Sequence, residues 1–329
     1  MNILFLRGIN DDNKVEPLLS SDGQMIFRID GSASIFRHMY AQEPYASSLV
    51  LFGQKVRQKS ISLHEKPDVV FNEISDPDSH KGALARGEKL CTGFDAPIIN
   101  PPHLIGQTTR DQIAHRLSNI AGVSMPLTVR CRPKSPDDIF ATIQKESLAY
   151  PVIVRLAGQH GGTSSILIRS SGDQDRLHVY PFDGRDFYLT QYVDYQDDDG
   201  LFRKYRIVVI AGRPYFRHVL IGDHWMVHAS SFEFAKQRED LLSEMRQRRL
   251  VFDDELAPQI SAAVQEIHRR IQLDYFGLDC HIDDDGKLLL FEVNANMNVL
   301  HDPEDTLKEA VDKIKQGIHR LIKSKIKTT

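Results

Sequence analysis

Two carboxylates and a carboxamide near the C-terminus carry the strongest chemical signal in this sequence. Residues 276–294 read FGLDCHIDDDGKLLLFEVN. Two β-type runs flank Asp285-Gly286, a dipeptide that favours a two-residue type I′ turn. With those two residues as the loop, Asp284 pairs with Lys287. Leu278, Cys280 and Ile282 then face Val293, Phe291 and Leu289 in one apolar surface. Strand alternation puts Asp279 opposite Glu292 on the other surface, with Asn294 two residues along. Like charges directly opposite destabilise a sheet. Two carboxylates about 4 Å apart repel by roughly 4 kcal/mol at an effective dielectric of about 20. A hard divalent cation offsets that repulsion, and oxygen ligands in this number suit Mg²⁺. The alternative is a solvated hairpin edge whose acids diverge or take up a proton.

A second constellation concerns anions. The loop Gly158-Gln159-His160-Gly161-Gly162-Thr163-Ser164 has glycines that let backbone N–H groups approach phosphate, and hydroxyl donors besides. Lysine is missing and no helix signal follows, so it is not a Walker A loop. Arg155 precedes it on a strand. Lys204 and Arg206 sit on a later strand, and Arg217 on the next. Cations on successive strands beside a Gly-rich loop and an acidic hairpin describe a triphosphate site. His218, His224 and His228 share strand parity around Trp225. Three histidines can bind zinc, but Gly222-Asp223 threatens the register and no fourth ligand is evident; substrate contact or packing is the other reading. No Gly-x-Ser-x-Gly elbow and no Gly-x-Gly-x-x-Gly after the first strand is present.

The elements that must position these residues follow from periodicity. Buried strands are expected at 2–7, 68–72 and 96–100, with helical patterns around 33–40 and 80–90 between them, a small parallel α/β unit. Asn100-Pro101-Pro102 ends it. A helix over 109–120 follows, then strands at 150–156 and 165–169 on either side of the Gly-rich loop. The chain is strand-rich again from Tyr188, with a turn at Gly212-Arg213-Pro214. Amphipathic helices are expected over 254–273 and 306–325. The arginine-rich stretch 238–249 reads as a solvated helix face or lid. Arg7-Gly8-Ile9-Asn10 lies where open α/β sheets bind ligands.

Composition bounds the class. The 329 residues are 41% hydrophobic and 26% charged with a net charge of −4, the mix of a soluble globular protein of two or three domains. Nothing in that charge drives binding to nucleic acid or to an anionic membrane. Cys91, Cys131 and Cys280 are too few and scattered for a disulfide framework, which fits a cytoplasmic protein. No stretch approaches the roughly 20 apolar residues of a membrane span.

Taken in order, these segments resemble the ATP-grasp superfamily, which includes glutathione synthetase, D-alanine–D-alanine ligase and the peptide-glutamylating ligases. The resemblance covers nearly the whole chain. It is most specific at Gly277-Leu278-Asp279 and at Phe291-Glu292-Val293-Asn294-Ala295-Asn296. It implies an α/β (α+β) ATP-grasp fold in three parts: an N-terminal parallel α/β domain over 1–103, a small lid subdomain over 104–187, and a larger antiparallel-sheet subdomain over 188–329. It implies Asp279, Glu292 and Asn294 as ligands of Mg²⁺ or Mn²⁺. Thr190-Gln191-Tyr192-Val193-Asp194 looks like the hinge that holds adenine, around Gln191 and Val193. Arg206 occupies the place of a phosphate-contacting arginine, and Gly161, Gly162, Thr163 and Ser164 that of the flexible loop. Arg155 and Arg110 stand where the family usually has lysines, and the proline common after the carboxylate motif is missing. The implied activity is an ATP- and Mg²⁺-dependent ligase that joins a small-molecule or peptide carboxylate to an amine (or thiol) through an acylphosphate, with Arg206 and Arg217 catalytic. A phosphotransferase and a non-catalytic nucleotide-binding protein are the alternatives. A homodimer is the default expectation among soluble enzymes.

Overall fold

A computed structural model describes residues 1–19, 23, 25–29, 34–53, 66–159, 162, 164–301 and 307–326. Strand β1 (Ile3–Gly8) is apolar and buried on both faces, as a central parallel strand must be. A hairpin of β2 (Glu16–Leu19) and β3 (Met25–Arg28) forms its own two-stranded sheet. With β4 (Ala46–Leu51), β5 (Val69–Asn72) and β6 (Ile98–Ile99), β1 builds a parallel sheet of order β4-β1-β5-β6. Helix α1 (Lys81–Cys91) buries Ala83, Leu84 and Cys91. The pattern over 33–40 yields a single π-helical turn, Phe36–Tyr40. The strand at Ala46–Leu51 was not expected, because its first half, Ala-Ser-Ser, has no apolar alternation.

After α2 (Pro102–Ile105), α3 (Arg110–Leu117) and the short β7 (Val123–Ser124), the chain enters a second sheet. Its strands are β8 (Thr128–Cys131), β9 (Val152–Leu156), β10 (Ser165–Ile168) and β11 (Phe187–Gln191), antiparallel in the order β10-β9-β11-β8. Helix α4 (Pro136–Lys145) lies before β9 and packs Ile139 and Ile143 onto it. Its start signal is plain in retrospect: Pro136 at the first turn, followed by Asp137 and Asp138 at the positive end of the helix dipole. Ser165 pairs with Arg155, so the Gly-rich segment joins β9 to β10. This sheet runs through Gln191, past the boundary expected at 187.

The third sheet holds β12 (Phe202–Ile210), β13 (Arg213–Gly222), β14 (Tyr275–Ile282) and β15 (Leu288–Ala295), in the order β13-β12-β14-β15-β7. Between β13 and β14 run α5 (Ser231–Ala235), α6 (Glu239–Val251), a π-helical segment Phe252–Leu256 and α7 (Ala257–Ile271). α7 buries Ile260, Val264, Ile267 and Ile271 on one stripe, the spacing of an amphipathic helix. α8 (Lys308–Lys325) buries Val311, Ile314, Ile318 and Ile322 likewise. Among the described residues no helix is long and apolar enough to cross a membrane.

The acidic hairpin departs from the expected geometry twice, and the departures cancel. Asp283 N–H bonds Lys287 O (3.1 Å) and Gly286 N–H bonds Asp283 O (2.9 Å), with Gly286 at φ 77°. The loop is therefore the three-residue turn ending in a left-handed glycine, not the two-residue turn. That shifts the pairing by one, to Ile282 with Leu288 and Cys280 with Leu290. A bulge then takes up one residue of β15, and Asp279 faces Glu292, as expected. The bulged residue is Phe291. It leaves the helix-packed face where it was expected, and Leu290 takes that place beside Cys280.

Two asparagines fasten the first unit to the third sheet. Asn100 Nδ2 donates to Tyr275 O (2.6 Å) and to Asn296 Oδ1, while Tyr275 N–H donates to Asn100 Oδ1 (3.1 Å). Asn296 Nδ2 donates to Ile74 O (2.8 Å). Both sit at positive φ, 54° and 52°, which asparagine tolerates better than most residues.

Candidate active site

One face of the third sheet packs on α3 and α7 through Tyr205, Ile207, Leu278, Cys280, Leu290 and Val293. The other face changes character along its length. On β12 the alternate residues are Phe202, Lys204, Arg206, Val208 and Ile210. Phe202 joins an aromatic cluster with Tyr195, Leu289, Phe291 and Trp225. Val208 and Ile210 pack with Phe5, Phe71 and α8. The charged residues lie in the strip between those two apolar zones.

Asp279 is buried, and Arg206 grips it with two hydrogen bonds, Nε to Oδ1 at 2.8 Å and Nη2 to Oδ2 at 2.7 Å. Lys204 Nζ stands 3.6 Å from Oδ2. Burial opposes ionisation of Asp279, but the Arg206 hydrogen bonds and the two cations outweigh it and hold the carboxyl below its usual range. Glu292 pairs with Arg110 at the start of α3, whose Nη1 also donates to Phe291 O (3.3 Å). The repulsion between Asp279 and Glu292 is thus offset by arginines and a lysine. Arg155 feels both Arg110 and Glu292; burial first, then Arg110, push its guanidinium down to about 10, and its Nη2 donates to Gln159 O (2.6 Å). His218 faces Arg206 across the β12–β13 ladder. Burial, Arg206 and Arg217 push its imidazole down to about 3, so it is neutral at physiological pH.

A cleft of about 40 Å³ lies beside Arg110 and Glu292; Asp279, Lys204 and Arg206 are not among its lining residues. Arg110, Glu292 and Asn294 line it together with Gly158 and Gln159, and Ser75, Asp76 and Asp78 form a further wall. That wall, the segment after β5, is the part of the site that sequence reading missed. Its signal was the Asp76-Pro77-Asp78 turn at the carboxyl end of a parallel strand, where open α/β sheets bind ligands. The expectation for that position fell instead on Arg7 to Asn10, and Arg7 pairs with buried Glu73 (3.7 Å).

The remaining expected residues are distributed as follows. Gly161 and Thr163 lie outside the described residues; Gly162 has φ 77° and a Cβ there would come 3.1 Å from Met226 Sδ, so Gly162 itself rests on the segment after β13. Ser164 gives its carbonyl to the Tyr180 hydroxyl (2.7 Å). Gln191 uses its side chain to bind Ala149 N and O (2.8 and 2.7 Å). Tyr192 stacks edge-on against Trp225 and donates to Asp194 Oδ1 (3.2 Å), while Val193 and Asp194 border a different cavity. That cavity, about 740 Å³ and the larger of the two, is lined by six aspartates of the 194–199 and 283–284 segments. It lies apart from Arg110, Glu292 and Asn294, which line the smaller cleft. Arg217 is the bulged residue of β13, and its guanidinium binds Val299 O (2.7 Å) and His301 O (2.9 Å). Among the described residues no three His, Cys, Asp or Glu side chains are grouped to hold a metal ion, so the histidines after Arg217 form no zinc cluster.

Asp279 and Glu292 sit opposite each other with Asn294 further along β15, a hard-oxygen donor set of two carboxylates and an amide. That chemistry fits Mg²⁺ or Mn²⁺, which take few protein carboxylates and leave room for phosphate oxygens.

No family model and no curated protein matches the chain. Solved structures do. A RimK domain ATP-grasp protein from Sphaerobacter thermophilus superposes with a TM-score of 0.53 at 12% identity, covering 97% of this chain and 99% of that one. D-alanine–D-alanine ligase from Bacillus anthracis, complexed with ATP, gives 0.53 at 12% identity, covering 99% and 97%. VanG D-Ala:D-Ser ligase from Enterococcus faecalis gives 0.52 at 12%, covering 98% of both. On these end-to-end superpositions the chain has the ATP-grasp fold.

Proposed function

We propose that this protein is an ATP- and Mg²⁺-dependent ligase that joins a carboxylate to an amine (or thiol) and releases ADP and phosphate. The observation that carries the reading is buried Asp279 facing half-buried Glu292 with Asn294 beside it, near Arg110, Arg155, Arg206 and Lys204. Binding a nucleotide triphosphate needs cations that hold oxygens and carboxylates that hold a metal, side by side. Here they are salt-bridged to each other. Incoming phosphates would take over the arginines as the carboxylates turn to the cation, so no charge is stranded at any stage.

Asp279, Glu292 and Asn294 would hold Mg²⁺, which when bound neutralises charge on the phosphate oxygens. Arg206, Arg155 and Arg110 would grip those oxygens and spread the charge of the transferring phosphoryl group. The substrate carboxylate attacks that group and becomes an acylphosphate; the amine then displaces phosphate, and the amide forms. Acylphosphates hydrolyse in water, so the second sheet, with its Gly-rich loop, serves as a lid over the 40 Å³ cleft. The adenine end would lie at the hinge Gln191–Asp194, toward the aromatic cluster of Phe291 and Trp225. Arg217 would shape the acceptor side by fixing the backbone at Val299 and His301.

The test is a screen of candidate acids and amines for ADP release with ATP and Mg²⁺. Glu292→Ala should abolish ADP formation and keep the circular dichroism of the parent. Undiminished turnover in that variant would remove the hairpin from the reaction. A stable phosphorylated product in the mass spectrum would make the protein a phosphotransferase instead.

A further inference from the structure

Asp78 lines the cleft and belongs to the segment after β5, yet its carboxylate is held by the second sheet. Oδ1 accepts Arg130 Nη1 at 2.8 Å and Oδ2 accepts the Tyr188 hydroxyl at 2.7 Å. Arg130 is on β8 and Tyr188 directly opposite it on β11. Both partners are preset. Asp186 binds Arg130 from behind through Nε (3.0 Å) and Nη2 (2.5 Å), and the guanidinium stands 5.5 Å from the Tyr188 ring centroid. Asp78 is preset as well, since its N–H bonds Asp76 Oδ1 (2.8 Å) just after Pro77. A third contact sits beside these two. The Cβ position of Gly158 comes within 3.6 Å of Asp78 Cβ and 3.8 Å of Ser79 Cβ, so the start of the Gly-rich segment rests on the same wall.

These contacts tie the second sheet to a residue that lines the cleft. Any movement of the second sheet away from the segment after β5 must break the Asp78 bonds. We propose that Asp78 is a positioning residue, a latch of the N-terminal unit that closes the lid by capturing Arg130 and Tyr188. The proposal rests on the ligase reading only for what lies beneath the lid. Its charge-assisted bonds are only partly exposed, the Asp78 side chain at 11% and Arg130 at 22%, so water competes weakly for them. Closure over bound nucleotide then draws on the same three contacts, and the apparent affinity for ATP scales with the closed population.

Two variants test this. Asp78→Asn removes the charge at constant size, and Tyr188→Phe removes one hydroxyl from a buried ring. The first readout uses no nucleotide. Spin labels at Lys81→Cys on α1 and Gln144→Cys on α4, in a Cys131→Ala background, report the distance between wall and lid. The parent should give one narrow distance, and both variants a broader distribution extending to longer distances. The second readout is kinetic. Asp78→Asn should raise KM for ATP about tenfold, more than it lowers kcat, and Tyr188→Phe about threefold. Parent-like distances and parent-like KM in both variants would overturn the latch. Should the parent bind no ATP, the ligase reading fails, and the distance distributions alone still decide whether Asp78 holds the lid.

Discussion

At the scale of single residues, the site is a set of charges that satisfy one another. Asp279 has Arg206 and Lys204; Glu292 has Arg110. The sequence showed that two carboxylates would meet and that something must offset them. It could not show what, because Arg206 and Arg110 lie 73 and 182 residues from their partners. Arg206→Met should expose the arrangement. It leaves buried Asp279 with Lys204 alone, and breaking a buried pair costs about 3 kcal/mol, the low end of the usual range because one cation remains. Urea unfolding measures that loss. Added Mn²⁺ without nucleotide should restore part of the stability, since it replaces the missing positive charge; no recovery would argue that these oxygens do not bind a divalent ion.

At the scale of elements, the strands that carry the site were largely legible, since β12, β14 and β15 have long apolar runs and the acidic hairpin a strong turn signal. What periodicity missed is informative. β4 opens with small polar residues, and α4 is short, its start marked by Pro136 and two aspartates rather than by a stripe. The hairpin turn was misread because Asp285-Gly286 suits either loop length; the choice lies in the left-handed Gly286 and its bond to Asp283. Gly277 shows how tightly β14 is held. It pairs with Asn294, and a Cβ there would collide with Met297 Sδ and come 2.7 Å from Met297 Cβ. Gly277→Ala should cost about 1–3 kcal/mol by overpacking. It should also weaken Mn²⁺ binding with nucleotide present, because the strand that carries Asp279 must shift. Parent-like binding after a measured loss of stability would separate packing from ligand alignment.

At the scale of the whole molecule, the first unit is part of the site's foundation. Its strands share a core with Val208, Ile210, Tyr275 and α8, and Asn100 and Asn296 link the backbones across the join. Both asparagines were visible, one before the double proline and one in the run Ala295-Asn296-Met297-Asn298. Their partnership was not, because it spans 196 residues. Asn100→Ala leaves Tyr275 N–H and O without these partners in a buried place, at a cost of about 3 kcal/mol. Chemical denaturation should show that loss, with a second transition if the first unit comes away before the rest; a loss under about 1 kcal/mol would mean that water replaces the amide.

The extra residue at Phe291 has a consequence for the surface the ligand meets. In an uninterrupted strand, neighbours point to opposite sides, so an aromatic ring beside an acid would be turned away from it. The bulge lets Phe291 and Glu292 share one side. A greasy patch for a flat heterocycle and an oxygen donor for a cation thus come from adjacent positions, and trimming one residue from that strand would force the protein to give up one of them.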